Sequence, residues 1–262
     1  MNMKSPSELL DYLLTVCTEK GNKCIYKLAV LGFLAGAFIA LGAVGSIIAS
    51  STLAKTNVGL AKLVAGAVFP VGLIMVVLLG VELFTSNCML VVAVINKNIS
   101  IKQLLKNWLI VYIFNFIGGL FIAYITIETH NFNEDSLMYL EKLALYKVGA
   151  PAYSIFLKGI LCNVLVCGAV LLTYCAKDVI GKIFAAWFPI MLFIILGYDH
   201  CVANMLYLSA AKMAGINISF TGIAYNLLFA TIGNIVGGAF FMALPLYLTH
   251  YNKKACGLTV CE

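Results

Sequence analysis

The sequence predicts an all-α membrane protein whose six transmembrane spans form two inverted three-span repeats, with the second and the fifth span broken. Composition is the first reason, because 63% of the 262 residues are hydrophobic and only 11% are charged, unlike a soluble domain. Six apolar segments also reach the length of about 20 residues that crosses a bilayer. Short polar runs interrupt two of them. We therefore expect one membrane domain and no separate soluble domain.

The predicted elements follow the chain in order. An amphipathic N-terminal helix is expected over 5–20, because Ser5 can cap it and Pro6 suits its first turn. The six spans are expected at 27–51, 63–96, 107–127, 156–176, 183–208 and 224–249. The chain thus divides into an N-terminal segment, a first repeat, an extracellular loop, a second repeat and a cytoplasmic tail: 1–26, 27–127, 128–155, 156–249 and 250–262.

The basic residues predict the orientation in the membrane. All 17 are lysine, and an even number of spans places both termini on one side. Eleven lysines flank that side: Lys4, Lys20, Lys23, Lys27, Lys97, Lys102, Lys106, Lys177, Lys182, Lys253 and Lys254. The positive-inside rule then predicts cytoplasmic termini in a cell (plasma or inner) membrane. The net charge of +6 reflects this bias, and nothing else indicates a nucleic-acid partner.

The nine cysteines are scattered along the chain. No Cys-x-x-Cys occurs, and the pairs Cys162/Cys167 and Cys256/Cys261 lack partner histidines. We interpret the cysteines as small apolar residues that fill the core. The sequence predicts no cofactor and no metal site.

The third and the sixth span share one motif. It reads Asn-x7-Asn-x2-Gly-Gly and recurs 119 residues later: Asn107, Asn115, Gly118 and Gly119, then Asn226, Asn234, Gly237 and Gly238. Because each unit has three spans, an odd number, the second unit is expected to enter the membrane inverted, as in many transporters and channels. The glycines are expected at close helix contacts.

Polar runs break the second span at 82–87 and the fifth at 197–200. Polar groups at membrane depth are costly and usually face a protein-lined cavity. Breaks at matching places in two repeats indicate a transport site. We expect half-helices joined by a re-entrant loop, with Thr85 or Ser86 capping the half-helix after the first break. The same is expected after Asp199 and His200.

Two titratable residues stand out as candidates for the site. His200 is the only histidine inside an expected span, and an imidazole with its ordinary pKa near 6.5 can exchange a proton reversibly. Its alternative role is that of a neutral, hydrogen-bonded structural group. Lys147 follows a polar stretch, 131–141, that we expect to be a loop. It is either an exposed loop lysine or a cation that draws small anions into a vestibule.

Five motifs in the chain, spread over nearly its whole length, resemble those of one family. They read GFLAGAFIALG at 32–42, ELFTSN at 82–87, KNWL at 106–109, DHCVANM at 199–205 and IGNIVGG at 232–238. Together they are similar to the formate/nitrite transporters, a family that includes a hydrosulfide-channel branch. The resemblance implies an aquaporin-like six-span fold, assembled as a homopentamer with one pore per protomer.

The resemblance also implies roles for individual residues. Thr85 matches the family's loop threonine, His200 its central histidine and Lys147 its vestibule lysine. Asn163 and Asn234 match the asparagines that flank the chamber. The expected constrictions are Phe69, Leu73 and Phe193 on the cytoplasmic side and Phe84 on the outer side. One departure is Tyr198-Asp199 where many formate channels carry Phe-Glu, which favours the hydrosulfide branch.

The predicted function is a channel or transporter in the lipid bilayer for small monovalent anions of weak acids: hydrosulfide, formate or nitrite. One alternative is a neutral-solute channel of the aquaporin type, although neither break carries Asn-Pro-Ala. A membrane enzyme is a second alternative, yet one buried histidine without a second ligand or a nucleophile does not make an active site. A purely structural membrane protein is a third, and the repeated breaks argue against it.

Overall fold

The structure, a computed structural model, describes residues 3–251. Thirteen α-helices lie in this part of the chain: α1 Pro6–Asn22, α2 Ile25–Ser51, α3 Val58–Val68, α4 Val71–Leu78, α5 Phe84–Asn87, α6 Val91–Ile95, α7 Ile101–Glu128, α8 Glu134–Gly149, α9 Ala152–Cys175, α10 Val179–Leu196, α11 Cys201–Met213, α12 Phe220–Val236 and α13 Leu244–His250. A π-helix at Gly237–Ala243 joins the last two. The expectations for Lys253, Lys254, Cys256, Cys261 and most of the tail lie outside the described residues.

Six helical segments are long and apolar enough to cross a membrane: Ile25–Ser51, Val58–Leu78, Ile101–Glu128, Ala152–Cys175, Val179–Leu196 and Phe220–His250. Their mean hydropathy lies between 1.9 and 2.3. Between residues 3 and 251 there is no β-strand, only an isolated bridge between Met3 and Ala176. The predicted all-α membrane fold with six spans is therefore confirmed. The inversion of the second unit stays a prediction.

The second and the fifth span are both broken. After α3 and α4, residues 79–83 leave the helix before α5 and α6 follow, and residues 197–200 separate α10 from α11. Gly80 and Gly197 sit at these breaks with φ of +66° and +69°, a left-handed conformation that costs glycine no steric penalty. The predicted breaks are thus present, and each has a left-handed glycine, Gly197 as the first residue of the second break and Gly80 as the second residue of the first.

Helices α1 and α8 lie at opposite ends of the molecule. Two residues join α1 to the start of α2. At the other end of α2, the hydroxyl of its last residue, Ser51, is 3.2 Å from the hydroxyl of Ser136 on α8. The 27 residues of α2 span about 40 Å at 1.5 Å per residue. We call the two faces the α1 end and the α8 end.

The N-terminal helix forms as predicted. Ser5 accepts a hydrogen bond from the N–H of Glu8, whose carboxylate accepts one from the N–H of Ser5 in return, and Pro6 opens the first turn. These bonds lower the pKa of the Glu8 carboxyl group. Leu10, Leu13 and other apolar residues of one face are buried. The helix therefore lies against the body of the protein.

The expectation of a loop over 131–141 is wrong, because this stretch contains the start of α8. Asn133 caps the helix by accepting a hydrogen bond from the N–H of Ser136, and Glu134 and Asp135 stand in the first turn, where negative charge is favourable. Leu140 and Ala144 on the inner face of the helix are buried. The polar residues thus mark a helix start and an exposed face rather than a loop.

Glycines allow two helix pairs to approach closely, as predicted. Where α2 crosses α7, a β-carbon on Gly36 would lie 2.0 Å from the Asn115 carbonyl oxygen. In the second unit, a β-carbon on Gly237 would lie 2.3 Å from the Ile160 carbonyl oxygen on α9. Both distances are far below contact, so only glycine fits these crossings. The first span of each unit therefore packs directly against the third.

Candidate functional site

A single asparagine from α7 holds the first break. The Asn115 side-chain oxygen accepts a hydrogen bond from the N–H of Phe84 (2.9 Å), and its amide nitrogen donates to the carbonyl oxygens of Gly32 (2.7 Å) and Glu82 (3.0 Å). The side chain is fully buried. It satisfies the Phe84 N–H and the Glu82 carbonyl, which the break leaves without helical partners, as membrane depth requires, and it ties the break to Gly32 on α2.

Asn234 holds the second break with the same three kinds of bond. Its oxygen accepts from the N–H of Cys201 (2.9 Å), and its amide nitrogen donates to the carbonyl oxygens of Gly159 (2.8 Å) and Asp199 (2.8 Å). Asn163 on α9 links the half-helix after the first break to α12, because its amide nitrogen donates to the carbonyl oxygens of Thr85 (3.1 Å) and Asn234 (2.6 Å). Both asparagines therefore bind backbone.

A buried acid in each break meets a lysine from a flanking amphipathic helix. At the α1 end, the Glu82 carboxylate lies 3.3 Å from the ammonium group of Lys20 and 2.7 Å from that of Lys23. At the α8 end, the Asp199 carboxylate lies 2.7 Å from the ammonium group of Lys147. Lys147 is therefore a buried ion-pair partner, and its alternative role as an exposed loop lysine is wrong.

Asparagines complete each acid–lysine cluster in the same way. The Asn87 amide donates to Glu82 (2.7 Å) and to the oxygen of Asn107 (2.9 Å). The Asn204 amide donates to Asp199 (2.9 Å) and to the oxygen of Asn226 (2.8 Å). Asn107 and Asn226 donate in turn to the carbonyl oxygens of Lys20 and Lys147. The two halves thus repeat one hydrogen-bond pattern, including their flanking helices α1 and α8.

Thr85 and His200 bring the two breaks together at the centre. The Thr85 hydroxyl oxygen lies 3.0 Å from His200 Nε2, and both side chains are buried. The N–H of Ala203 donates to His200 Nδ1 at 3.1 Å. Because Nδ1 accepts this bond it carries no proton, so the neutral imidazole holds its proton on Nε2 and donates to Thr85. His200 is thus the helix cap expected after the second break.

The cap expected from Thr85 or Ser86 is wrong. Leu83 is the residue that precedes α5, and no side chain of its own caps the helix. Asn115 on α7 instead supplies the acceptor for the Phe84 N–H. The Thr85 hydroxyl is free to meet His200, and the Ser86 hydroxyl donates back to the Leu83 carbonyl oxygen (2.9 Å). A residue distant in sequence has taken over the capping role.

Aromatic rings lie on both sides of the Thr85–His200 pair. Phe69 and Phe193 meet edge to face, with centroids 5.4 Å apart, and Phe193 stacks on His200 at 5.8 Å. Leu73 is buried with them in the same core. On the other side, Phe84 packs edge to face on Tyr112 at 4.9 Å. All four predicted constriction residues are buried; we call them the apolar seal, and their role as the constrictions of a pore stays a prediction.

The predicted sides of the two constrictions are wrong relative to Lys147. The Phe193 carbonyl accepts from the N–H of Tyr198, next to the acid that binds Lys147, so the Phe69–Phe193 pair lies towards the α8 end. Phe84 also packs near Trp108, early in α7 and close to α1. The error arose because the re-entrant loop returns the chain to the centre before Phe84, which places residues 69 and 84 on opposite sides of it.

A cavity opens at each end of this seal. The cavity at the α8 end has a volume of about 110 Å³ and is lined by Lys147, Tyr139, Tyr146, Tyr198 and Tyr207, among others. The cavity at the α1 end has a volume of about 270 Å³ and is lined by Lys20, Lys23, Glu19, Tyr12 and Tyr174, among others. We call them the α8-end and the α1-end vestibule. Each cavity is thus lined by a lysine that also pairs with a buried acid, Lys23 with Glu82 and Lys147 with Asp199.

The comparison with known protein families decides what this architecture is. A family model described as formate/nitrite transporter matches residues 7–248. The chain belongs to the formate/nitrite transporter family. The match includes both flanking helices and all six spans.

Individual relatives cover nearly the whole chain. The "Uncharacterized transporter YrhG" of Bacillus subtilis (strain 168) is 43% identical over 97% of this chain and 96% of its own length. The "Formate channel FocA" of Haemophilus influenzae is 37% identical over 94% of both. These relatives are transporters and channels rather than enzymes, so this family member is a multi-pass membrane transport protein.

Solved structures of the family share the fold. One described as "FNT family ion channel" superposes with a TM-score of 0.81, at 29% identity over 93% of this chain and 97% of its own. Another, "Pentameric formate channel with formate bound", gives a TM-score of 0.76 at 30% identity over 87% of this chain and 98% of its own. The arrangement of spans and breaks is therefore that of formate/nitrite transporters.

Sequence reasoning missed Lys20 and Lys23 as members of the site. Both were assigned only to the basic flank that orients the chain. A signal was present, since Lys20 and Lys147 each stand in the last turn of an amphipathic helix, although they are 127 residues apart rather than the 119 of the asparagine motif. In this formate/nitrite transporter the repeat begins before the first span and includes these helices.

Proposed function

We propose that the protein is a channel for small monovalent anions of weak acids (formate, nitrite and hydrosulfide). We further propose a homopentamer in the cell (plasma or inner) membrane, with one pore per protomer and cytoplasmic termini. Relatives named formate channels, and a solved pentameric relative with formate bound, support both proposals. The observation that carries the function is the Thr85–His200 pair, sealed between apolar rings with a lysine before each side.

The apolar rings explain why a weak acid crosses and a permanent anion does not. A bare ion loses its hydration between Phe84 and Phe193, at a cost of several kcal/mol even after relaxation. Formate, nitrite and hydrosulfide avoid this cost by taking up a proton, since each has a neutral conjugate acid. The lysines raise the local anion concentration in the vestibules. The neutral acid then passes the seal, and loses its proton on the far side.

The hydrogen bonds at His200 favour water as the source of that proton. The neutral imidazole has its Nδ1 occupied by the Ala203 N–H, and its Nε2 proton is directed at Thr85. Giving up the Nε2 proton would leave a buried anionic ring, and adding one to Nδ1 would break the helix cap. We propose that water in the vestibule protonates the anion, while Thr85, polarised by His200, donates a hydrogen bond to the passing acid.

The position of Tyr198 bears on the choice of anion. Its side chain lines the α8-end vestibule, whereas the neighbouring Asp199 carboxylate is taken up by Lys147 and Asn204. The exchange of Phe-Glu for Tyr-Asp therefore adds a hydroxyl to the vestibule and leaves the central pair untouched. We propose that the hydroxyl influences which anion enters, and direct competition between formate, nitrite and hydrosulfide in vesicles ranks the three.

Flux into proteoliposomes tests the proposed function. Formate influx is expected to acidify the lumen, because the neutral acid that crosses loses its proton there, and chloride is expected to pass poorly. Glycerol serves as the neutral solute that an aquaporin-type channel would conduct. Equal rates for chloride and formate would contradict proton-linked passage, and glycerol flux without formate flux would establish the neutral-solute alternative instead.

A further inference from the structure

The two acid–lysine clusters differ in the number of lysines as well as in the acid, which is Glu82 in the first and Asp199 in the second. Both Lys20 and Lys23 contact Glu82, at 3.3 and 2.7 Å. Among residues 3–251, Lys147 is the one lysine within 4.0 Å of Asp199. The α1 end thus holds two ammonium groups for one carboxylate, and the α8 end holds one for one.

The difference traces to a single position in the repeat. Lys20 and Lys147 are 127 residues apart, and the residue 127 after Lys23 is Ala150. Lys23 and Ala150 are both the C-terminal caps of their helices, with φ and ψ of −59° and 141° for Lys23 and −72° and 143° for Ala150. The backbone conformation at these two positions is therefore alike, and the side chain distinguishes them.

The extra lysine changes how the first cluster is bonded. Lys23 binds one oxygen of Glu82, so Lys20 can bind the other oxygen and also donate to the Asn87 side-chain oxygen at 2.8 Å. The corresponding oxygen of Asn204 is buried and has no hydrogen-bond partner in the described part of the chain. The α1 cluster is fully satisfied and keeps a surplus positive charge.

That surplus faces the cavity through which a substrate enters. Lys20 and Lys23 both line the α1-end vestibule, with side chains 14% and 27% exposed. The vestibule rim also carries Glu19, which is exposed, and the Lys106 ammonium group donates to the Lys23 carbonyl oxygen at 2.9 Å. Because partly buried charges are screened less than exposed ones, the ordered lysines outweigh Glu19.

We propose that Lys23 gives the α1-end vestibule a higher affinity for monovalent anions than the α8-end vestibule, so that the half-saturating anion concentration is lower from the α1 end. The inference rests on the proposed anion function and deepens it. An extra charge within several ångströms of a bound anion, at the effective dielectric of a protein surface, lowers the half-saturating concentration about three- to tenfold. The maximal rate from that side falls in proportion, because passive transport has no preferred direction at equal concentrations.

Sided uptake of labelled formate tests the proposal. Intact cells and inverted membrane vesicles expose opposite ends, and protease access to a tag before α1 reports which end faces out. In the native protein, half-saturation is expected at about three- to tenfold lower formate from the α1 end. Lys23→Ala is expected to bring the two ends within about twofold of each other.

Two further variants keep the test decisive if Lys23→Ala folds poorly. Ala150→Lys is expected to lower half-saturation at the α8 end, because it restores the missing lysine on the same backbone. Lys27→Ala removes an exposed charge near the same end and is expected to preserve the asymmetry. Equal half-saturation at both ends of the native protein, or an effect of Lys27→Ala as large as that of Lys23→Ala, overturns the inference. Absence of any saturable formate flux would instead refute the proposed function.

Discussion

His200 Nε2 and the Thr85 hydroxyl oxygen lie 3.0 Å apart although 115 residues separate them in the chain. Each belongs to a different break, and Asn115 and Asn234 fix the backbone on either side of the contact. The pair exists only when both breaks have their native shape. It is therefore the point at which the two halves of the protein act together.

Thr85→Val is expected to reduce formate flux about tenfold or more without unfolding the protein. The change keeps the side-chain volume but leaves the buried Nε2 proton of His200 without an acceptor, which costs about 1–3 kcal/mol. Thr85→Ser is the matched control, since it keeps the hydroxyl. Stopped-flow uptake into proteoliposomes measures both, and equal rates for the two variants would show that the hydroxyl takes no part.

His200→Asn separates the titratable ring from the helix cap. Asparagine is a favourable cap, so α11 is expected to remain, while the imidazole that polarises Thr85 is lost. Flux is expected to fall about tenfold or more because Thr85 loses the group that polarises it, while the pH dependence across roughly pH 5 to 8 is expected to persist, since water rather than the imidazole protonates the anion. Uptake over that range provides the measurement. An unchanged pH profile at normal rate would assign His200 a structural role alone.

Phe69→Ala is expected to weaken selection against permanent anions. Removing the ring that packs on Phe193 opens the seal towards the α8 end, and a wider, wetter passage lowers the cost of dehydrating an ion. The ratio of chloride to formate flux is expected to rise about tenfold, which corresponds to about 1.4 kcal/mol. Phe188→Ala, on the outward face of α10, is the control and is expected to leave the ratio unchanged.

Asn234→Ala is expected to destabilise the protein strongly. It removes three buried hydrogen bonds to backbone groups, two at the second break and one at Gly159 on α9, and each group left unsatisfied costs about 1–3 kcal/mol. Thermal unfolding in detergent is expected to shift downwards by several degrees, with Asn115→Ala behaving alike. Asn131→Ala, at an exposed position, provides the reference. A normal unfolding temperature combined with lost flux would instead make Asn234 a substrate-contacting residue.

Local patterns along the sequence predicted the spans and the breaks correctly, whereas contacts between residues far apart in the sequence could not be predicted. Apolar periods and polar interruptions are local, so the six spans and both breaks were found. The shared asparagine motif also pointed to residues that matter, but their partners were out of reach. Nothing in the order of residues shows that Asn115 caps the helix after the first break, because that bond depends on how α7 packs.

The lysines illustrate the same limit. Lys20 and Lys23 counted as part of a basic flank, since a charge at a helix end ordinarily faces solvent. Only the packing of α1 over the first break brings them to Glu82. Likewise, the order of the constrictions reversed because the re-entrant loop folds the chain back, a geometric fact that residue types do not encode.

The hydrogen bonds within each half indicate where the chain can be divided into two fragments. Residues 6–128 contain the first break together with the asparagine, the acid and the lysines that bind there. Residues 134–250 likewise contain the second break with its asparagine, acid and lysine. Two separate polypeptides divided near residue 131 would each carry the bonds that shape their own break. Neither fragment alone would hold both Thr85 and His200, so conduction is expected to return only when the two fragments reassemble.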